Sequence, residues 1–430
     1  MKLSTHFIIF YRTYQIFLSV VFVVLFFTSN AQIDIKKYVK KNIVQILSIN
    51  PEITDYSDLE IIGEKIGDSR IVMLGEASHG DASTFLAKTR LIQYLHEKKG
   101  FNVLAFESDF YALNRCWDLN IQHNLSIDSF YYTNQIHSVW TRCEAMTTLF
   151  YKYLPKSDQT SKPIIITGFD NQIFGLYSQL NFRNEIDSYL MSQQIPYVSK
   201  LDYKNTFLPQ IDSIILFRPF DSLQFVRMIS ILDTIDNELL RKNRKDEFWY
   251  LCFQNFKQYA LQRFYYQEND DWKVGNKYRD QQMSNNLKWL LLTKYPNEKF
   301  IVWAHNGHIN KNPEYYNSMG DCFTLDSSLN LTTYIIGFTS REGYYFGEYL
   351  NDASIQKISK PMRNSFENWI SKKIDYGFID FKEFNELNPN AKMRFYMKTK
   401  NHNNYYMDWT HSFDGIVYIR EMLPCTIIKK

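Results

Sequence analysis

Short apolar runs separated by helical patterns constrain the fold of this 430-residue chain more than any other feature. Each run is rich in β-branched or aromatic residues and is bounded by turn or polar residues, as buried strands are. Between the runs, residues 84–98 place apolar side chains about 3.6 positions apart and stop before Gly100, which predicts a helix, and 281–293 has the same pattern. Strands that alternate with helices predict an α/β fold with a mostly parallel central sheet flanked by helices. The predicted strands are 71–75, 102–106, 164–168, 300–304, 334–338 and 415–419.

The middle of the chain has a different pattern. No glycine occurs between Gly175 and Gly275, and charged and apolar residues interleave with helical spacing through 223–265. We therefore expect residues 176–275 to be a mainly helical insertion that either caps a cleft or covers a face of the sheet. Because no repeat or low-complexity linker divides the chain, we expect residues 32–430 to form a single domain.

The N-terminus has the layout of a secretory signal peptide. Lys2 and Arg12 precede an apolar stretch at 17–27, small residues follow at the −3 and −1 positions of a cleavage site, and no acid occurs before Asp34. A membrane anchor is the competing interpretation, but it needs about 20 apolar residues and this stretch is shorter. We expect residues 1–31 to be removed, which predicts a secreted or periplasmic protein with no stable membrane insertion after processing.

Composition excludes some classes of partner. Hydrophobic residues make up 45% and charged residues 22% of the chain, as in an ordinary globular protein. The net charge of +3 and the lack of a Lys/Arg cluster argue against nucleic acid as a partner. The 31 Tyr and 33 Phe either pack in the core and on the surface or line a cleft for a bulky organic ligand. We expect a monomer that acts on a small molecule.

The cysteines are scattered, odd in number, and contain no CxxC pair, so they form neither a disulfide framework nor a zinc knuckle. We interpret them as isolated buried thiols. One bridge remains open in an oxidising compartment, although the sequence does not choose the pair. The five are Cys116, Cys143, Cys252, Cys322 and Cys425.

Acids and histidines follow the predicted strands directly. Each alone is more simply explained as a helix cap or a core residue. Because the carboxyl ends of parallel strands meet at one edge of a sheet, where ligands bind, their joint occurrence predicts a catalytic cleft. The residues at these strand ends are Glu76, His79, Glu107, Asp170, His305 and His308.

Such a set of side chains is suited to activating water. Histidine is the usual general base near neutral pH, and a neighbouring carboxylate can orient it. The chain lacks the Gly-x-Ser-x-Gly elbow of serine esterases and a phosphate-binding glycine loop. His96-Glu97 is not followed by the second histidine of a zinc-protease motif.

Gly75-Glu76-Ala77-Ser78-His79-Gly80 resembles a motif of the erythromycin esterase family. Further similarities follow in the same order between Ser69 and Glu421. They are Phe106-Glu107, Trp140-Thr141-Arg142-Cys143-Glu144, Gly168-Phe169-Asp170, the segment 279–286, Trp303-Ala304-His305-Asn306-Gly307-His308 and Phe413-Asp414-Gly415.

This resemblance implies that residues 32–430 form one catalytic domain that hydrolyses an ester or lactone with histidine-activated water and without a cofactor. The catalytic residues it implies are His79 as the base, Glu76 as its neighbouring acid, Glu107 as the second acid, and the pair His305 and His308. The substrate-binding residues it implies are Lys88, Trp140, Asp170, Arg279 and Asn306.

Lys88 departs from the family pattern, which commonly has an arginine nine residues after the base. Lysine keeps the charge but not the bidentate fork of arginine. Arg90 lies two positions later and faces away from Lys88 on a helix. The difference bears on the substrate more than on the reaction type.

Two alternatives belong to other classes. His79, Glu107, His305 and His308 are of the ligand types that bind zinc or manganese, as in a metal-dependent hydrolase or peptidase. The fold also resembles that of haem-binding surface lipoproteins, so a secreted haem-binding or small-molecule-binding protein is the second alternative. Acids beside the histidines are an unfavourable lining for a haem pocket. A chelator separates the first alternative from the esterase, and a Soret band on adding haem separates the second.

Overall fold

The computed structural model describes residues 34–123, 134–218, 221–245, 247–267, 271–315, 317–347 and 354–428. The chain divides into two compact units, Met1–Tyr38 and Val39–Lys430. In the first unit only residues 34–38 are described, and the predicted signal peptide, 1–31, lies outside the described residues. The predicted single domain over 32–430 stays a prediction.

A mostly parallel sheet crosses the second unit and confirms the predicted fold class. Within the described residues it has nine strands in the order β1-β8-β11-β6-β2-β5-β3-β4, with β7 paired to β6, and β9 and β10 form a separate antiparallel pair. From β11 to β4 in this order, adjacent strands pair parallel, whereas β1 with β8, β8 with β11, and β7 with β6 pair antiparallel. The strands are β1 (Val44–Ile46), β2 (Ile71–Leu74), β3 (Val103–Asp109), β4 (Ile165–Asp170), β5 (Phe300–Trp303), β6 (Thr333–Phe346), β7 (Ile355–Lys357), β8 (Tyr376–Asp380), β9 (Arg394–Lys400), β10 (Asn403–Asp408) and β11 (Gly415–Met422).

The six predicted strands all occur, because each is a continuous apolar run that the sheet buries on both faces. Their registers align the strand ends. Trp303 pairs with Leu74 on one side and with Phe106 on the other. The residues that follow β2, β3 and β5 therefore emerge at one edge of the sheet, as predicted.

Helices flank this sheet. The predicted helix at 84–98 is observed at Ala82–Lys99 and ends at Gly100, whose φ of 74° is left-handed and suits a residue without a side chain. The predicted helix at 281–293 is observed as the second half of Trp272–Trp289 and a π-helical turn, Leu290–Lys294.

The helices of the described residues are α1 (Ile35–Asn42), α2 (Glu60–Ile66), α3 (Ala82–Lys99), α4 (Phe110–Gln122), α5 (Ser138–Thr141), α6 (Leu154–Asp158), α7 (Leu176–Ser192), α8 (Leu208–Ile215), α9 (Ser222–Arg241), α10 (Phe248–Gln267), α11 (Trp272–Trp289), α12 (Asn306–Ile309), α13 (Met319–Thr324), α14 (Ser327–Leu331), α15 (Phe366–Trp369) and α16 (Lys382–Leu387). Shorter 3-10 or π turns are Ser57–Leu59, Glu144–Met146, Thr148–Tyr153, Pro196–Ser199 and Tyr203–Phe207. No helix among the described residues has the length and apolar character that crossing a membrane requires.

The middle of the chain is mainly helical, as predicted for 176–275. It contains α7 to α10 and the first turn of α11. Within it, α7 packs on α4, and α10 packs on α11. The insertion thus covers helices of the α/β unit.

The main core lies between the sheet and α3, with an aromatic cluster beneath the carboxyl ends of the strands. The ring centroids of Phe106 and Trp303 are 5.7 Å apart, and those of Trp140 and Trp303 are 6.3 Å apart. All three side chains are fully buried. They form a rigid apolar floor for the groups above them.

The expectation of isolated thiols is wrong for two of the five cysteines. Cys143 and Cys425 form a disulfide, whereas Cys116, Cys252 and Cys322 are not disulfide-bonded. The segment after β11 pairs with the chain beside Cys143, since Glu144 N donates to Thr426 O at 2.9 Å. The two cysteines are 282 residues apart, so their pairing depends on tertiary structure that spacing does not report.

Candidate active site

The turn that follows β2, residues 75–81, carries the first pair of predicted catalytic residues. Its glycines are required by close packing: a Cβ on Gly75 would lie 2.0 Å from Asn306 Oδ1, and one on Gly80 would lie 2.3 Å from Phe346 Cβ. The turn closes on itself where Ser78 N donates to Asp81 Oδ2 at 3.0 Å. We call residues 75–81 the catalytic turn.

The segment after β11 fixes the far side of the catalytic turn. Cys425 N donates to Gly80 O at 3.0 Å, and Ala82 N donates to Leu423 O at 2.9 Å. Ser83 Oγ accepts from Leu423 N at 3.0 Å. The disulfide at Cys143 ties this same segment down.

Glu76 is fully buried and accepts three hydrogen bonds. Oε1 accepts from His79 Nδ1 and from Trp140 Nε1, both at 2.8 Å, and Oε2 accepts from Lys88 Nζ at 2.7 Å. A carboxylate held in this way can orient an imidazole and stabilise its protonated form.

His79 is the partly open member of the group, with 35% of its side chain exposed. Its Nδ1 faces Glu76, and no group among the described residues hydrogen-bonds to Nε2. Burial opposes the imidazolium, but the hydrogen bond to Glu76 and the charge of Glu107 raise the pKa of His79 above 6.5. Nε2 is therefore the ring nitrogen that can exchange a proton with a molecule that reaches the exposed part of His79.

Glu107, at the end of β3, is paired with Arg279 of α11. Arg279 Nη2 donates to Glu107 Oε1 at 2.7 Å and to Asp170 Oδ2 at 2.6 Å, and its Nε also reaches Asp170. Burial disfavours the ionised carboxyl, but the charges of His308 and Arg279 hold the pKa of Glu107 well below its usual range. This arginine joins the ends of β3 and β4 to a helix from a distant part of the chain.

His308 is oriented by Asp280, which sequence reasoning did not select. His308 Nδ1 and Asp280 Oδ1 are 2.6 Å apart, and the same oxygen accepts from Met319 N at 2.9 Å. His308 Nε2 lies 3.3 Å from Glu107 Oε1. Burial opposes the charged ring, but Asp280 and Glu107 raise the pKa of His308. The position of Asp280, directly after Arg279, was the available signal.

His305 has both ring nitrogens occupied. Nε2 donates to Ala77 O at 2.9 Å, and Nδ1 accepts from Gly307 N at 2.9 Å. Burial and the neighbouring His79 and His308 lower the pKa of His305 well below 6.5. The ring is therefore neutral, and its centroid lies 5.3 Å from that of His79.

Lys88, Trp140 and Asn306, which were predicted to bind substrate, are buried and bonded to protein groups. Lys88 Nζ lies 3.7 Å from the Trp303 ring centroid, and burial lowers the pKa of Lys88 to about 8. Asn306 Nδ2 donates to two main-chain carbonyl oxygens. The three side chains therefore support the site from the protein interior, and their contact with substrate stays a prediction. Arg90 binds Asp58 instead of joining Lys88, as the helical spacing indicated.

His137 was missed because no strand precedes it. It lies just before α5, three residues from Trp140, and its ring stacks on Phe174 with centroids 3.8 Å apart. Burial lowers the pKa of His137 to about 4, so it is a neutral aromatic surface near the cleft.

The cluster as a whole contains four carboxylates, two basic side chains and two histidines of raised pKa. When both histidines are protonated, the four positive charges balance the four negative ones. This balance favours the protonated form of each histidine and accounts for their raised pKa values. The carboxylates belong to Glu76, Glu107, Asp170 and Asp280, the basic groups to Lys88 and Arg279, and the histidines are His79 and His308. Among the described residues, no three His, Cys, Asp or Glu side chains form a group arranged to hold a metal ion.

Comparisons with known proteins identify the family and the fold of the chain. A family model described as Erythromycin esterase matches residues 96–422. The chain is 28% identical over 411 residues to "Putative hydrolase YbfO" of Bacillus subtilis (strain 168). This match covers 86% of this chain and 88% of that protein.

Solved structures share the fold. A crystal structure of a Bacillus cereus protein has a TM-score of 0.70 and 19% identity, and the match covers 92% of this chain and 98% of that one. An open conformation of a histidine-to-asparagine mutant of the erythromycin esterase EreC has a TM-score of 0.64 and 16% identity, covering 90% of this chain and 99% of that one. Since the family model spans well over half of the sequence, the chain belongs to the erythromycin esterase family.

Proposed function

We propose that this protein hydrolyses a carboxylic ester or lactone of a small molecule, with His79 as the base that activates water. The observation that carries the proposal is the His79–Glu76 pair: Nδ1 is held at 2.8 Å by a fully buried carboxylate, while the ring itself is 35% exposed. Membership of a family of hydrolases and the name of EreC support the ester as the bond attacked.

The proposed reaction proceeds in two steps. His79 Nε2 takes a proton from water, and the water oxygen bonds to the carbonyl carbon while the carbonyl electron pair moves to its oxygen. The tetrahedral species then collapses, its bond to the leaving oxygen breaks, and the imidazolium returns the proton to that oxygen. The products are a carboxylic acid and an alcohol, or one hydroxy acid from a lactone.

Two positive groups support the charged intermediate. Arg279 and His308, whose pKa is raised by Asp280 and Glu107, lie at the same edge of the sheet and are held by Glu107, Asp170 and Asp280. Positive groups that are fixed before the reaction stabilise developing negative charge without reorganisation. Neutral His305 fixes the main chain of the catalytic turn through Ala77 O.

The test is hydrolysis of an ester and macrolactone panel by the purified protein, its His79→Asn variant and a His96→Asn control. His96 lies on α3 and bonds to Tyr153 Oη and Lys162 O, away from the cluster. We expect the His79 variant to lose at least about a hundredfold in kcat and the control to keep its activity. If the His79→Asn variant cleaves esters as fast as the unmodified protein, His79 is not the base.

Two further experiments test the alternatives, a metal-dependent hydrolase and a haem-binding protein. Activity that is lost with a chelator and restored by zinc or manganese would replace the proposal with a metal-dependent hydrolase or peptidase. A Soret band on adding haem, with no cleavage of any ester by folded protein, would favour the binding protein instead.

We also propose that the protein is exported as a monomer and cleaved after residue 31. The disulfide between Cys143 and Cys425 supports an oxidising compartment. Intact-mass analysis of the exported protein should give a chain that begins at Gln32, and a retained Met1 would overturn the cleavage. Light scattering during size exclusion measures the oligomeric state.

A further inference from the structure

A second histidine–carboxylate pair lies behind the catalytic turn, outside the groups that face the cleft. His402 Nε2 donates to Asp81 Oδ1 at 2.9 Å, and His402 Nδ1 lies 2.8 Å from Ser340 Oγ. All three side chains are fully buried. A serine in this position cannot act as a nucleophile because no substrate can reach it.

The pair connects distant parts of the chain to the catalytic turn. Asp81 is 321 residues from His402, which lies at the tip of the β9–β10 hairpin. The neighbouring Asn401 N donates to Ala77 O at 2.7 Å, inside the same turn. Asn401 and His402 form the two-residue loop of the hairpin, and their left-handed φ values, 46° and 50°, are those of the tight turn that such a loop requires.

Asp81 links His402 to the part of the turn that contains His79. Its second oxygen, Oδ2, accepts from Ser78 N at 3.0 Å, which closes the turn next to His79. Tyr345 packs against the His402 ring with centroids 4.6 Å apart and limits its movement. Contacts at both ring nitrogens and the packing of Tyr345 hold the imidazole in place, and the imidazole in turn holds Asp81.

We propose that His402 is a positioning residue that acts through Asp81 to hold the catalytic turn in the geometry that joins His79 to Glu76. This inference rests on the proposed function, since it assigns a role within the same reaction. His402 does not touch the reacting atoms. Without its hydrogen bond to Asp81, the turn relaxes, and the His79–Glu76 contact lengthens or breaks.

Two substitutions at His402 separate positioning from general stability. In His402→Gln the side-chain amide nitrogen occupies nearly the place of Nε2 and can still donate to Asp81. In His402→Asn the shorter amide reaches only toward Ser340. Both variants lose the packing of the ring against Tyr345. His411→Asn is the control, because His411 bonds to Asp408 and has a side chain 40% exposed.

The first readout is the pKa of His79 in the protein without substrate, measured by NMR titration of isotope-labelled histidine. The His79 signal is identified as the one that is absent from the His79→Asn variant. We expect His402→Asn to lower this pKa toward 6.5, because His79 loses the hydrogen bond to Glu76 that raises it. His402→Gln and the control should keep the value of the unmodified protein. The second readout is ester hydrolysis, where His402→Asn should lose at least about tenfold in kcat with KM little changed.

An unchanged pKa of His79 in His402→Asn would overturn the proposal, as would equal falls in the Asn and Gln variants. If His402→Asn does not fold, Asp81→Asn takes its place, since an amide cannot accept from both His402 and Ser78. Its failure to lower the pKa would also overturn the proposal. A lowered pKa with no ester cleaved would keep the positioning role and reject the hydrolase, whereas cleavage with an unchanged pKa would do the reverse.

Discussion

Glu76 controls the chemistry of His79 through one short contact at 2.8 Å. The carboxylate cannot rotate away, because Trp140 and Lys88 hold both of its oxygens. Its charge is shielded from water by complete burial, so it acts on the imidazole with little screening. The buried acid thus raises the pKa of the half-buried His79, the proposed base.

The pH dependence of hydrolysis should report this contact. Only neutral His79 can accept a proton, and its pKa is raised, so we expect kcat/KM to fall on the acid side with a midpoint above 6.5. Glu76→Gln removes the negative charge, which should lower the pKa and move the midpoint to lower pH while reducing kcat. A pH–rate series of both proteins measures the shift, and an unmoved midpoint would contradict the assignment.

At the scale of elements, the strand ends were predictable and the contacts between distant segments were not. The order of the apolar runs, together with the residues that follow each run, predicts that Glu76, Glu107 and His305 lie at one edge of the sheet. Register brought them together as expected. His402 and Cys425 gave no such signal, because their partners, Asp81 and Cys143, are hundreds of residues away and no local pattern specifies the pairing.

The disulfide makes a prediction at this scale. Cys143→Ser with Cys425→Ser removes a cross-link that closes a loop of 282 residues, so we expect the free energy of unfolding to fall by about 5 kcal/mol. Guanidinium unfolding of the two proteins measures the difference. Cys322→Ser, at a partly exposed free thiol, is the control and should change little. Equal stability of the double variant and the unmodified protein would mean that hydrogen bonds alone secure the segment.

Across the whole molecule, Arg279 joins the helix that follows the insertion to the ends of two central strands. Its guanidinium contacts Glu107 and Asp170, which are buried and distant in sequence from each other and from α11. Since leaving buried carboxylates without a counter-charge is costly, this side chain stabilises the contact between the sheet edge and the helical layer.

Arg279→Met should therefore lower the free energy of unfolding by about 3 to 5 kcal/mol and abolish hydrolysis. Arg279→Lys keeps a charge but not the fork, and we expect an intermediate loss. Arg183→Met is the matched control, because its ion pair with Asp212 is partly exposed and should contribute little. Chemical denaturation together with the ester assay checks both effects, and an Arg279→Met protein as stable as the control would contradict this account.

The segment that closes the catalytic turn has a consequence for the timing of synthesis. Leu423 bonds to Ser83 across 340 residues, and Cys425 bonds to Gly80. A ribosome makes Glu76 and His79 long before it makes the residues that hold their turn in place. A nascent chain therefore carries both side chains of this pair while the turn is still open, and the turn is completed only once synthesis has passed residue 425.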